Sequence, residues 1–597
     1  MTARAELARL CASHGIEPDY VGMDGKRRAV PVETLQVLAE ILELKAERAH
    51  PPGTIDDALD AADPPRCFVP EGLRGARVWG ITCQLPSLAS MRNLGMGDLA
   101  DLAALCRIAG AAGADFVGVN PLHALFWSAP ERVSPFFPSN RRFLNPAYIA
   151  IDWLRVGALT DEEQREAERL RKTPLLDIAA AIRLKDRILR RIHGSYGWCE
   201  TDRRSYARFC ARHGSALTAH AVFEALSEVM VAEGHGAGWS GWPAPYRDAS
   251  GSAVAGFASD NAMAVDYHRW LQWVADAQLE RVRAEAESAG LRIGLYLDMA
   301  VGAADDGSAA WTDPHLTVPA LSVGAPPDPL GPLGQDWGLA PLAAPRLEET
   351  EGAPLAETVD AVMRHAGALR LDHAMSLARM WLIPRGTEPL KGAYMRYPLQ
   401  TLLRRLAEVS QRNGTLVVGE DLGLVPPGFS DLIQQRGLHS YLVFLIDRGG
   451  APFPVPADWP VDALACLATH DMPTFTGWWR GEDIALRRRL GLEDDAQARA
   501  RAALREQDRA RIADALGQHA DTVALSTRLH AHVASSPARL FALQIEDALG
   551  VAEQVNVPGT IDAYPNWRQR LPVTIEALGA DPGFRAHVAA LARVRPK

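Results

Sequence analysis

The alternation of strand-like and helix-like segments constrains this 597-residue chain more than any other feature. Short runs rich in β-branched and aromatic residues, such as ARVWGITCQL at 76–85 and ADFVGVNPL at 114–122, are separated by amphipathic helical stretches. At least six strand-like segments follow this pattern, and strand, helix and strand in succession imply a parallel sheet. An open doubly wound sheet and a closed (β/α)₈ barrel both fit this count, and periodicity alone does not choose between them.

Three regions depart from the alternation. Residues 1–66 have helical spacing of apolar side chains and end in Pro-rich stretches, so we predict a small helical extension there. Residues 67–597 are predicted to form one large α/β domain. Within it we expect a mostly helical insertion at about 153–265 and an Arg- and Glu-rich, solvated helical segment at about 480–530.

Composition and charge exclude several classes of protein. The hydrophobic fraction is 48% and the charged fraction 23%, as in ordinary globular domains. The net charge of −10 argues against nucleic acid as a partner, because a duplex-binding protein needs a basic face. Seven cysteines without a CxxC pair predict reduced thiols in the cytoplasm and no metal site of the zinc type. We expect no signal peptide at the start of the chain. The sequence contains no apolar run of 18 residues, so we also expect no membrane span.

Polar side chains stand at the ends of four strand-like segments, where a buried strand should stay apolar. In a parallel α/β protein the carboxyl ends of the strands form the functional site, and buried charges are costly without a partner or a role. These residues are Asn120 and His123, then Arg370, Asp372 and His373, then Glu420 and Asp421, and finally His470, Asp471 and Thr474.

Arg370 and Asp372 share one face of their strand, because strand side chains alternate with period two. An arginine beside the carboxylate favours its ionised form, and an ionised carboxylate can act as a nucleophile. Glu420 follows the apolar run LVVG, where burial favours the protonated form that a general acid requires. A buried ion pair without chemistry and a carboxylate at a helix N-terminus are the structural alternatives.

The pair His470-Asp471 has two further interpretations, a metal-ligand pair or a helix cap. No companion histidines at ligand spacing support a metal. Taken together, Asp372, Glu420 and Asp471 suit glycosidic chemistry, because a retaining mechanism needs a nucleophile and an acid/base around an oxocarbenium-like transition state.

Tryptophans give a second indication of a sugar substrate. Several of the 15 lie in Gly-rich, loop-like surroundings, namely Trp239, Trp242, Trp337, Trp478 and Trp479. Sugar rings stack their C–H faces on such side chains, although core packing explains an individual tryptophan equally well.

At these residues the sequence resembles the 4-α-glucanotransferase family, the amylomaltases or disproportionating enzymes of the α-amylase clan. The resemblance runs from about Trp79 to Leu571, and its N-terminal helical piece is similar to that of the longer bacterial members. The motifs that carry it, in order, are SLASMRNLGMGDLADL, SPFFPSNRRFLNP, VGAPPDPLGPLGQDWG, RLDHAMSLARMWLIPRG, VVGEDLGLVPP, ATHDMPTFTGWW and QVNVPGTIDAYPNWRQRL.

The resemblance implies a (β/α)₈ barrel with inserted subdomains, and transfer of α-1,4-glucan segments with retention and without a cofactor. By this resemblance Asp372 is the nucleophile, Glu420 the acid/base and Asp471 the transition-state stabiliser. The implied partners are maltodextrins, amylose and a glucose acceptor. The implied substrate-binding residues are Arg370, which also orients the nucleophile, His373, His470, Asp328, Gln335, Trp337, Asp298, Ser134, Phe136 and Asn556.

Phe136 departs from the family motif, which has a tyrosine at this position. A phenylalanine can still stack on a sugar ring, but it lacks the hydroxyl. Two other functions share parts of this pattern. A hydrolase of the same clan would have the same three carboxylates, and a non-catalytic glucan-binding barrel would lack at least one of them.

Overall fold

Eight parallel strands form the centre of the molecule. The structure is a computed structural model that describes residues 3–49, 51–154, 159–327, 331, 333–446, 456–517 and 521–597. In chain order the strands, named β1 to β8, are Val78–Cys83, Phe116–Val119, Gly294–Met299, Ala368–Leu371, Leu416–Gly419, Ser440–Val443, Ala463–Cys466 and Leu540–Gln544.

The eight strands close into a barrel. Their order in the sheet is β5-β4-β3-β2-β1-β8-β7-β6, and all the pairs are parallel. His439, just before β6, forms a parallel bridge with Val418 of β5. Its carbonyl accepts from Gly419 N at 2.8 Å, and its own N–H donates to Val417 O at 2.9 Å. The fold is therefore the (β/α)₈ barrel, and the open doubly wound sheet is excluded.

Alternate side chains of the strands fill the barrel interior, as the period of two requires. This inner core includes Phe116, Tyr296, Ala368 and Leu464, and the rings of Phe116 and Tyr296 meet edge to face at 5.6 Å. Gly80 leaves room for the Phe116 ring, because a Cβ at position 80 would lie 2.3 Å from that ring. The interior is thus a packed core that supports the open end of the barrel.

The helix after β1 begins at a capping box. Asp98 caps Leu99–Ala111, because its carboxylate accepts from the N–H groups of Ala100 and Asp101, while Asp101 accepts in return from Asp98 N. The helices after the later barrel strands, which pack outside the barrel, include Ala353–Met363, Leu399–Asn413, Phe429–Gln435, Ile545–Ala548, Ile575–Leu578 and Pro582–Val594.

Two helical regions interrupt the barrel. In the described part of 153–265 no strand is present. Buried Gln272 and Gln278 fix the last of these helices to the barrel side, through hydrogen bonds of 2.7–2.9 Å with backbone groups of Leu144 and Ala150. The helices of the first region are Asp161–Arg171, Ile178–Gly194, Glu200–Ala232, Ser252–Asp260 and Ala262–Ser288, and those of the second are Phe475–Arg480, Glu482–Arg489, Asp495–Leu516 and Thr522–Ala534.

A four-stranded antiparallel sheet lies beside β4 and was not predicted. Its strands, in spatial order, are Ala393–Arg396, Arg379–Pro384, Leu321–Ala325 and Gln335–Leu339. A two-stranded ladder, His123–Ala124 with Asn140–Leu144, follows β2. The last strand of the larger sheet carries Gln335 and Trp337, two of the predicted substrate-binding residues.

The N-terminal segment packs on this four-stranded sheet. Besides the helices Ala3–Ser13, Val32–Ile41 and Ile55–Leu59 it contains a hairpin, Asp19–Val21 with Arg27–Ala29, which the helical prediction omits. Glu17 N donates to Tyr394 O at 2.8 Å, and the Glu17 carboxylate pairs with Arg379 at 2.7 Å. The boundary at residue 66 stays a prediction, because residues on both sides of it share one apolar core.

Trp381 connects the N-terminal segment with the four-stranded sheet, and its burial leads to a prediction about stability. It is 1% exposed, and its ring lies 4.9 Å from that of Tyr20 and 5.0 Å from that of Tyr394. We expect Trp381→Ala to lower the free energy of unfolding by about 3–5 kcal/mol, measured by urea denaturation, because it opens a large buried cavity. The control Val21→Ala, at a side chain 52% exposed, should change it by less than about 0.5 kcal/mol. Equal effects of the two substitutions would contradict this packing role.

The described residues contain no helix with the length and apolar character needed to span a bilayer. The seven cysteines all belong to this part of the chain and are thiols, five of them buried.

Candidate active site

Arg370 joins the acidic groups on β3 and β4. It follows interior-facing Ala368 by two residues, so its side chain points into the barrel. One guanidinium nitrogen lies 2.9 and 3.0 Å from the two carboxylate oxygens of Asp298 and 2.9 Å from Asp372 Oδ1. Burial raises the pKa of Asp298 to about 6, although Arg370 opposes the shift. The predicted pair of Arg370 and Asp372 is therefore present, and Arg370 also pairs with a second carboxylate, that of Asp298.

Backbone groups after β3 fix the orientation of Asp372. Val301 N donates to Asp372 Oδ2 at 3.3 Å. The loop that carries this N–H is held by Arg141, which donates to the carbonyls of Ala300 and Val301 at 2.9 and 2.8 Å. Burial lowers the pKa of Arg141 to about 10, and Asp372 opposes the shift. Arg141 was not singled out from the sequence, although two adjacent arginines in the strand-like run NRRFL were a signal.

Glu420 lies immediately after β5 and is 8% exposed. The N–H groups of His373 and Leu422 donate to its two carboxylate oxygens at 2.8 Å each. His373 reaches this position with a left-handed backbone, φ +45°, which is uncommon for a residue with a side chain and is found at functional sites. The burial of His373 lowers its pKa to about 4, so its imidazole is neutral at pH 7.

Burial raises the pKa of Glu420 to about 7. Arg370, whose nearest guanidinium nitrogen is 4.0 Å away, opposes this shift, and Asp372 reinforces it. A substantial fraction of Glu420 is therefore protonated near neutral pH, as a general acid requires.

Asp471 follows β7 and faces the open mouth, with its side chain 42% exposed. Asn556 Nδ2 donates to Asp471 Oδ1 at 2.6 Å, and His470 Nε2 lies 3.4 Å from Oδ2. Burial opposes ionisation, but His470 and the bond from Asn556 lower the pKa of Asp471 to about 2. In return Asp471 raises the pKa of His470 despite the burial of the imidazole. Asp471 and Asn556, which the sequence analysis assigned to the site separately, are thus in direct contact.

Phe136 links this group to Arg370. Its ring stacks on the His470 imidazole at 4.8 Å and lies 5.9 Å from the Arg370 guanidinium. Trp567, which the sequence analysis did not single out, lies 5.6 Å from both Phe136 and His470 and has a left-handed backbone, φ +64°. Its signal was the motif PNWRQRL. The stacking supports an aromatic role for Phe136 without a hydroxyl.

The strand Gln335–Leu339 brings two predicted residues close to His373, which follows β4. The Trp337 indole N–H donates to Gln335 Oε1 at 3.1 Å, and the ring lies edge-on to His373 at 5.2 Å. Asp328 lies outside the described residues. Ser134 is half-buried and its carbonyl accepts from Phe137 N at 3.2 Å, so the role of its hydroxyl stays a prediction.

Other polar strand-end residues have structural partners. His123 Nε2 accepts from Ala300 N at 3.2 Å, and burial lowers the pKa of His123 to about 3. Asp421 accepts from Tyr441 N and from Ser430 Oγ. Thr474 caps Phe475–Arg480 by accepting from Gly477 N. In the described part of the chain no three His, Cys, Asp or Glu side chains are arranged to hold a metal ion.

The arrangement can perform acid/base and nucleophilic chemistry on one sugar. It presents a carboxylate paired with arginine, a carboxyl group poised to donate a proton near pH 7, and a third carboxylate at the mouth. All three follow barrel strands at the same end, as in enzymes of this fold.

Comparison with known proteins agrees with this geometry. The family model described as 4-alpha-glucanotransferase matches residues 83–574. The 4-alpha-glucanotransferase of Mycobacterium tuberculosis is 37% identical over 536 residues, covering 85% of this chain and 72% of the relative. That of Haemophilus influenzae is 32% identical over 540 residues, covering 85% and 77%.

Among solved structures, the amylomaltase of Corynebacterium glutamicum superimposes with a TM-score of 0.84 at 25% identity, over 99% of this chain and all of that one. The family match covers β2 to β8, the last residue of β1 and every residue of the site. The chain therefore belongs to the 4-α-glucanotransferase family, glycoside hydrolase family 77, and is an enzyme of α-1,4-glucan transfer.

Proposed function

We propose that Asp372, Glu420 and Asp471 are the catalytic carboxylates of this 4-α-glucanotransferase. The enzyme moves a glucan segment from a maltodextrin or amylose donor to glucose or to another maltodextrin. The observation that carries the proposal is the single guanidinium of Arg370, which pairs with Asp372 at 2.9 Å and lies 4.0 Å from Glu420, whose pKa is raised by burial to about 7. Two carboxyl groups with different protonation states are what a retaining mechanism needs.

In the first step Asp372 attacks the anomeric carbon of the donor. The glycosidic C–O bond breaks, and Glu420 gives its proton to the departing 4-oxygen, so the reducing-end fragment leaves as an alcohol. The glycosyl group stays bound to Asp372 as an ester. The backbone N–H groups of His373 and Leu422 then stabilise the carboxylate that forms on Glu420.

In the second step Glu420 takes the proton from the 4-hydroxyl of the acceptor. The acceptor oxygen attacks the anomeric carbon, the ester bond to Asp372 breaks, and a new α-1,4 bond forms. One glycosidic bond is broken and one is made, so neither a cofactor nor a nucleotide donor is needed.

The remaining predicted residues are proposed to hold the donor sugar. Ionised Asp471, fixed by Asn556, accepts from two ring hydroxyls as charge develops at the anomeric carbon, and His470 donates beside it. Phe136 and Trp337 provide apolar surfaces for the sugar faces. The remaining proposed contacts are Asp298, Arg370, His373, Gln335, Ser134 and Asp328, the last of which lies outside the described residues.

The products of maltotriose test the proposal. A transferase converts maltotriose into glucose and longer maltodextrins while the number of reducing ends stays constant. A hydrolase of the same clan raises that number with every bond it cleaves. Chromatography of the products together with a reducing-end assay separates the two, and a rise in reducing ends in step with maltotriose consumption would reject the transferase.

Trp337 gives a prediction about substrate binding. We expect Trp337→Ala to raise KM for maltotriose by about 2- to 10-fold, which is the value of one lost aromatic contact, with a smaller change in kcat. Trp479→Ala, at an aromatic side chain that stacks on Phe475 in a different part of the chain from the strand Gln335–Leu339, is the control and should leave KM unchanged. An unchanged KM in Trp337→Ala would exclude Trp337 from the binding surface.

A cytoplasmic location is also proposed. The seven thiols support it, because disulfides are rare in reducing compartments.

A further inference from the structure

A polar cavity lies inside the barrel, below the proposed sugar site. Its volume is about 40 Å³, and residues on or just after every barrel strand except β5 line it. A cavity needs about 10–15 Å³ to hold one water molecule, so this one has room for about three. Six of the polar residues that line it are Gln84, Asn120, Tyr296, Arg370, His470 and Glu546.

Three of these residues indicate that water occupies the cavity. Asn120 Nδ2, Tyr296 Oη and Arg370 Nε are buried and have no hydrogen-bond partner among the described residues. Gln84 Nε2 already donates to Asn120 Oδ1 at 2.7 Å, so the amide nitrogen of Asn120 is the group that still needs an acceptor. Buried donors without partners are costly, and ordered water in a polar cavity is the usual acceptor.

Asp298 and Glu546 are the acidic groups that line this cavity, and the mechanism proposed above does not use Glu546. It follows β8 by two residues, at the start of Ile545–Ala548, and is 5% exposed. Burial raises the pKa of Glu546 to about 7; its neighbour Asp547 adds to the shift and His470 opposes it. The Cys83 thiol faces it from β1, and burial and Glu546 both raise the pKa of that thiol.

We propose that Glu546 is a positioning residue that acts through water on His470. A protonated imidazole donates from both ring nitrogens. Nε2 of His470 faces Asp471 at 3.4 Å, and a cavity water held by Glu546 accepts from the other nitrogen. The carboxylate of Glu546 thereby keeps His470 protonated, and His470 keeps Asp471 oriented toward the sugar hydroxyls.

The other charged groups near His470 are Asp471, Arg370 and Asp298. Asp471 and Asp298 both raise the pKa of His470, although Asp298 is also ion-paired with Arg370 at 2.9 Å, and Glu546 acts in addition to them from the cavity side. The inference rests on the proposed function for its effect on rate, while its effect on His470 itself is independent of catalysis.

Glu546→Gln tests the proposal through its pH dependence. We measure maltotriose transfer between pH 5 and 9 and take the ratio of variant to wild-type rates, which cancels the titration of Glu420 common to both. Below about pH 6 wild-type Glu546 is protonated and resembles glutamine, so the ratio should approach one. Above pH 7 wild-type Glu546 is charged, and the ratio should fall by about 3- to 10-fold, mainly through kcat.

The titration of His470 gives a second readout. Removing a nearby carboxylate destabilises the imidazolium, so the pKa of His470 should fall by about 1 unit in Glu546→Gln. The titration is followed by NMR, and the variant His470→Asn identifies the signal of His470. Glu546→Asp keeps the charge and should restore both the titration and most of the rate. The control Glu224→Gln removes a buried glutamate of the helical insertion and should change neither.

A ratio independent of pH, or an unchanged titration of His470, would overturn the role of Glu546. So would a loss of rate that follows only the fraction of protein unfolded, measured by thermal denaturation. Failure of the proposed catalytic residues is distinguishable, because the NMR titration of His470 requires no turnover.

Discussion

Replacing Asp372 by Asn should lower the rate of maltotriose disproportionation by about 10⁴-fold or more. An amide cannot form the glycosyl ester of the first step, although the neighbouring groups and the barrel remain intact. Asp372 is 17% exposed at its side chain and pairs with Arg370 at 2.9 Å, so the isosteric amide is accommodated without a change in volume. Initial rates from chromatography of glucose and maltodextrins measure the effect.

Asp421→Asn is the matched control for this substitution. Asp421 also follows a barrel strand, but its carboxylate accepts from Tyr441 N and Ser430 Oγ. It should retain activity within about threefold of the wild type. If Asp372→Asn redistributed maltotriose at the wild-type rate, or if both variants lost activity to the same extent, Asp372 would be rejected as the nucleophile.

Replacing Glu420 by Gln should lower transfer from maltotriose by about 10²- to 10⁴-fold, which is the usual contribution of a general acid/base. A maltosyl fluoride donor separates the two steps, because fluoride leaves without a proton. With this donor the variant should form the covalent intermediate readily and then release it slowly, since glutamine cannot deprotonate the acceptor. Mass spectrometry of peptides should find the added maltosyl group on Asp372.

The pH dependence of the first step follows from the same residue. The pKa of Glu420 is raised to about 7 by burial, and only the protonated form donates to the leaving oxygen. The rate of intermediate formation from maltotriose should therefore be maximal at acidic pH and fall as pH rises through about 7. With maltosyl fluoride this alkaline decline should be absent in Glu420→Gln. Modification of a residue other than Asp372, or an alkaline decline that persists in the variant, would contradict the assignment.

Much of the site could be predicted from local sequence. Strand periodicity placed Arg370 and Asp372 on one face, and the apolar run before Glu420 correctly predicted a raised pKa. Motifs of the family added Asn556 and Phe136, and the structure brings them to Asp471 and His470. These predictions succeeded because the direction of a strand side chain depends on a few neighbouring residues.

The misses have a common cause. The eighth strand, Leu540–Gln544, and the four-stranded sheet beside β4 were not predicted, because their short segments become strands only when partners distant in sequence supply the hydrogen bonds. Arg141, Trp567 and Glu546 were overlooked for the same reason. Each is an ordinary residue in its own segment and becomes significant only through the groups that face it across the barrel.

The sequence by itself determined that strands alternate with helices and which strand ends carry carboxylates, since both depend on local patterns of side chains. Local patterns left closure of the sheet open and the family resemblance implied it, while the tertiary structure shows how the sheet closes, through His439 between β5 and β6. Closure brings Asp372, Glu420 and Asp471 to the same open end and places Arg370 and His470 beside them. Electrostatic effects depend on separation in space and on burial, and neither is encoded in the spacing of residues along the chain.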